Sequence, residues 1–148
     1  MKNLTTLSAA FLIICLLIPS KIVAQEEMQQ KKLDNVTWKE VVYIDFKPGM
    51  MGQALEIIEK YFRKASTMAN TSFPDQMIEM RTGPWDMVLV WTMKGGIEDM
   101  NWDVSPDNIK WRKALNKIAE EEGKTGDEVW NNYMSMVARS SSNIGMSK

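Results

Sequence analysis

The alternation of apolar and polar positions is sharpest in "TWKEVVYIDF", residues 37 to 46. Trp38, Glu40, Val42, Ile44 and Phe46 share one face, and Val41, Tyr43 and Asp45 the other, as a strand's period of two requires. Lys47-Pro48-Gly49 ends this strand. From about 50 to 68 the spacing becomes helical: Met51, Ala54, Leu55, Ile58, Phe62 and Ala65 face one way, with Gln53, Glu56, Glu59, Arg63 and Lys64 opposite. "NTSFPD" is loop chemistry, after which "QMIEMRT" and "DMVLVWTM" predict two strands joined across Gly83-Pro84-Trp85 as a hairpin. Residues 94 to 104 are irregular. Ser105-Pro106-Asp107 then supplies an N-cap, a first-turn proline and an acid for a second helix carrying Trp111, Leu115, Ile118 and Ala119, which Gly123 stops. Thr125 and Glu128 match a capping box. They predict a short third helix with Val129, Trp130, Tyr133 and Met134, and the weakly alternating "SMVARSSSNIGM" predicts a last strand.

This order is that of an α+β, ferredoxin-like split β-α-β unit, an antiparallel sheet with helices on one face. Strands one and three are nevertheless apolar on both faces: Val41 and Tyr43 back onto Val42, Ile44 and Phe46, while Met87, Leu89 and Trp91 back onto Val88 and Val90. The second face therefore needs a cover. The expected one is the same face of another copy, giving a homodimer built as a dimeric α/β barrel.

Composition narrows the setting. Lys2, the apolar run Leu7 to Ile18 and the small residue Ala24 form a secretory signal pattern, with cleavage expected after Ala24. The apolar run is shorter than the roughly 20 residues of a membrane span, and Ile14 before Cys15 disfavours a lipoprotein signal. The predicted organisation is a signal peptide over 1–24, a flexible leader over 25–35 and one domain over 36–146, exported to the periplasm or secreted, with no membrane span in the mature protein. Of 18 basic residues, Lys2 and Lys21 leave with the signal, so 16 face 19 acidic ones. A weakly acidic chain lacks the basic patch that nucleic-acid binding needs. There is no histidine, and the one cysteine lies in the signal. That composition excludes Ser-His-Asp and Cys-His catalysis and His-ligated zinc or haem. Thioethers suit Cu(I), but the methionines are dispersed, so no metal and no cofactor is expected.

"VVYIDFKPG", the helix after it and "TGPWDMVLVWTM" together resemble the NIPSNAP and antibiotic-biosynthesis-monooxygenase group of dimeric α/β-barrel proteins. Lys47-Pro48-Gly49 and Gly83-Pro84-Trp85-Asp86 with Val88 and Trp91 carry the resemblance, which spans roughly residues 36 to 144. It implies the same fold and dimer. It also implies a range of activities, from cofactor-independent oxygenases and haem-binding or ring-modifying enzymes to proteins with no known reaction. The absence of histidine sets this chain apart from members that use one.

The candidate site follows from the apolar and loop residues. Tyr43, Trp91, Met93 and Trp102 are read as walls of a pocket for a small apolar or aromatic molecule, with Asn101 as a further loop contact; for Trp91, core packing is the competing reading. Asp86 either satisfies backbone amides beside its turn or is the one catalytic base. Two functions stay open, an oxygenase-like enzyme and a non-catalytic ligand-binding or interaction module.

Overall fold

The computed structural model describes residues 30–148. The expected signal peptide lies outside the described residues, as do the first five residues of the expected leader. The folded unit runs over Asp34–Lys148, and among the described residues no helix is long and apolar enough to cross a membrane.

Strand β1 (Thr37–Phe46) ends in the Lys47-Pro48-Gly49 turn, where Gly49 adopts φ +79°, a conformation costly for residues with a Cβ. Helix α1 (Met51–Ile57), a π-helical turn (Ile58–Phe62) and α2 (Arg63–Ala69) follow without interruption, and Asn70 closes the rod in the left-handed region. Next come β2 (Gln76–Glu79), β3 (Met87–Thr92) and a 3₁₀ turn (Gly96–Asn101). Helix α3 (Pro106–Glu120) starts where Ser105 Oγ accepts the Asn108 N–H at 3.1 Å. It ends in a Schellman-type closure, with Lys124 N–H bonded to the Ala119 carbonyl across Gly123. The capping box forms, Glu128 N–H to Thr125 Oγ1 at 3.2 Å and Thr125 N–H to Glu128 Oε2 at 2.7 Å. It opens α4 (Gly126–Met136), which leads directly into β4 (Val137–Ser147).

All pairings are antiparallel, in the order β2-β3-β1-β4, the order of a ferredoxin-like sheet. Register assigns the faces. Ile44 pairs with Met87 and Val42 with Leu89, and this face packs with Ile57, Phe62, Leu115 and Tyr133 in the core. The other face carries Val41, Tyr43, Val88 and Val90, and among the described residues no helix covers it. At one end of that open face Tyr43 and Trp85 pack at 5.7 Å between ring centroids. The Arg139 guanidinium lies 4.5 Å from the Trp85 ring and donates to Asp45 and to the Pro84 carbonyl, which holds the Gly83-Pro84-Trp85 turn against the sheet. At the other end Lys39 donates to Thr92, and Thr92 bonds to Asp75.

Phe62 is the hub of the helix layer, in ring contact with Trp111 (5.4 Å), Trp130 (5.7 Å) and Tyr133 (5.1 Å). Trp111 Nε1 also donates to the carbonyl of Phe62, the last residue of the π turn. The third helix departs from the sequence expectation. It buries Val129, Tyr133 and Met136, whereas Met134 is exposed and Trp130 lies at the rim of the cluster. Val129, Tyr133 and Met136 share one helical face at i, i+4 and i+7, which turns Trp130 and Met134 away from it. The difference is one of boundary, since the helix runs on through Met136, a residue expected in the last strand.

Candidate functional site

The helix-side face of the sheet is unevenly covered. Met87 is fully buried and Ile44 and Leu89 nearly so. Two rows at the far end stand half-open. In one, Glu40 lies between Trp91 and Ile144 across the strands. In the next, Trp38 lies between Met146 and Met93, whose N–H bonds the Trp38 carbonyl at 3.0 Å. Directly opposed residues stand about 5 Å apart at Cβ, so these six side chains form one contiguous shelf. The 3₁₀ turn borders it, since a Cβ at Gly96 would come within 3.4 Å of the Trp38 ring. From that border Met100, Trp102 and Val104 extend into solvent, each at least half exposed.

The residues expected from sequence divide over this frame. Trp91 and Met93 belong to the shelf; Trp91 also packs against the core, so packing and wall are compatible for it. Trp102 follows the bordering turn, and Asn101 donates to Glu98 at 2.6 Å within it. Tyr43 is a correction. It alternates onto the open face, and the thickness of the sheet separates it from Trp91, so both cannot wall one pocket of a single chain. Asp86 is displaced too. It precedes Trp91 by five residues, about 17 Å of strand, and its carboxylate accepts the Phe46 N–H at 2.8 Å. Of its two readings the geometry supplies the backbone one, with an amide of β1 as partner rather than one of its own turn. Glu40 was missed as a site residue. Its signal was present, a lone carboxylate on an otherwise apolar strand face.

A separate crevice of ≈ 230 Å³ opens between the first helical rod and α4, lined by Ile57, Tyr61, Lys124, Glu128, Val129 and Asn132. Beside it Tyr61 Oη donates to Glu122 Oε2 at 2.6 Å and Lys60 Nζ lies 2.7 Å from Glu122 Oε1, with Lys124 within 3.7 Å. These donors, Lys60 foremost, hold the Glu122 carboxyl down to about 2 from an ordinary 4.5. A depressed carboxylate pKa contributes stability that is complete above pH 4.5 and lost as pH falls towards 2. Glu122→Gln is expected to lower the melting temperature modestly at neutral pH and to flatten its decline between pH 4.5 and 2. Parallel acid-limb melting curves for the two proteins would contradict this latch.

Among the described residues no group of three or more His, Cys, Asp or Glu side chains could hold a metal ion. The arrangement suits binding: a broad, aromatic and thioether-rich surface with one carboxylate.

Comparison with solved structures adds proteins of the family that the strand and turn residues resemble. The chain is similar to a NIPSNAP family protein from Agrobacterium tumefaciens, with 13% identity over 76% of this chain and 93% of that one, at a TM-score of 0.47. It is similar to an uncharacterized NIPSNAP domain protein from Burkholderia xenovorans, with 11% identity over 75% and 94% and a TM-score of 0.47. A NIPSNAP family protein with unknown function from Agrobacterium tumefaciens shares 14% identity over 75% and 87%, at a TM-score of 0.46. No protein-family model and no curated protein matches the sequence.

Proposed function

We propose that the protein is an exported homodimer that binds a small apolar or aromatic molecule on the half-open shelf of Trp38, Trp91, Met93, Ile144 and Met146. The observation that carries this reading is the contrast along one sheet face. Its Met87 end is sealed beneath helices, while two indoles and two thioethers at the other end keep access to solvent. Large flat rings and flexible methionines make an adaptable apolar wall. Binding is favoured over catalysis because Asp86, the base expected from sequence, lies at the far end of β3 and is engaged with a backbone amide.

The pairing partner follows from the open face. A surface with the half-buried Val41 and Val90 at its centre and ionic pairs at its two ends complements its own copy turned about a two-fold axis. Native mass spectrometry of residues 25–148, purified gently from the exporting compartment of its host, tests both parts, with a dimer carrying a defined extra mass expected. A monomer at micromolar concentration would refute the pairing. Val90→Asp places a charge in the centre of that face and is expected to yield folded monomers by sedimentation; a persistent dimer would put the interface elsewhere.

A further inference from the structure

We infer that the shelf selects an organic cation, a protonated or quaternary amine carried on an apolar or aromatic body. This rests on the binding reading above and names the ligand's chemistry. The argument starts from Glu40. Glu40 is half-buried on an apolar sheet face and still meets solvent; a guest that covers the shelf strips that hydration, and the carboxylate then needs a partner. Elsewhere on the sheet the acids have one: Asp45 pairs with Arg139 and Glu79 with Arg81, while Asp86 takes the Phe46 amide. Among the described residues Glu40 accepts only the neutral Ser142 hydroxyl, at 2.8 Å, and forms no ion pair. Lys39, beside it in sequence, points to the opposite face and is engaged with Thr92 and Asp75.

What surrounds Glu40 is what a cation prefers. Trp91 stands directly across from it, and Trp38 lies two residues earlier on the same face, about 7 Å along the strand. Indole is the best aromatic partner for a cation over its ring face. Ile144, Met93 and Met146 complete a surface suited to an alkyl or aromatic body. A neutral guest would bury the carboxylate unpaired, and an anion would meet it with like charge. A cation gains from the carboxylate and the rings together, and its attraction is strengthened where water is thinned.

Three phenylalkyl probes of similar size separate the possibilities: phenethylamine, charged at pH 7, 2-phenylethanol, neutral, and hydrocinnamate, anionic. Binding to the purified protein is followed by titration calorimetry and tryptophan fluorescence. The amine is expected to bind about ten-fold tighter than the alcohol, and the anion weakest. Glu40→Gln keeps an acceptor for Ser142, so the fold stands. It is expected to bring the amine to the alcohol's affinity and leave the alcohol unchanged, whereas Trp91→Leu weakens all three. Equal affinity for amine and alcohol, or a preference that survives Glu40→Gln, overturns the cation while the apolar-binding reading stands. If none of the three binds saturably, both fall.

Discussion

Phe62→Ala lowers the unfolding free energy by about 3–5 kcal/mol, the range for removing a buried aromatic side chain from a core. The size follows from the contacts. Phe62 meets Trp111 of α3 and Trp130 and Tyr133 of α4, so one substitution undoes the joint at which three helical segments converge. The loss is read as a shift of the urea midpoint with secondary structure retained. Phe62→Leu, which refills part of the volume, costs clearly less. A midpoint for Phe62→Ala close to the wild type would mean that the aromatic cluster does not bind the helix layer together.

Asp86→Ala is the second large effect, a loss of about 1–3 kcal/mol. The Phe46 N–H lies at the end of β1, where the pairing with β4 slips past Ala138. It is bonded to Asp86 Oδ2. Removing the acceptor leaves a polar group of a buried residue unpaired, whereas Asp86→Asn keeps a carbonyl oxygen for it and costs much less. The pair of variants also separates structure from function. Ligand affinity at the shelf is expected to be the same in Asp86→Asn as in the wild type, because about 17 Å of strand lies between them. An Asp86→Ala protein of unchanged stability would remove the clamp, and an Asp86→Asn protein that folds but loses its ligand would return Asp86 to the site.

The parts legible in the sequence are those decided locally. The starts of α3 and α4 were readable at Ser105-Pro106 and Thr125-Gly126-Asp127-Glu128, because a cap is made within four residues. Strands β1 and β3 were readable from alternation, and the element order led to the antiparallel sheet with helices on one face. The π turn at Ile58–Phe62 was not readable, since the apolar spacing of residues 54 to 65 serves an uninterrupted α-helix equally well. Met136 in place of Met134 is a matter of the helix boundary: Met136 continues the stripe of Val129 and Tyr133, but the alternating run from Ser135 reads as strand from its first residue.

For the site, alternation by itself determined that Glu40 shares a face with Trp38 and that Trp91 shares one with Met93. Only the cross-strand register decided that these faces coincide, that Glu40 stands opposite Trp91, and that Tyr43 looks away from both. The meeting of Tyr61, Lys60 and Glu122, and of Arg139 with Trp85, was likewise a product of the tertiary fold. Each joins residues more than fifty positions apart, at separations set by how helices and strands pack rather than by any local preference of the chain.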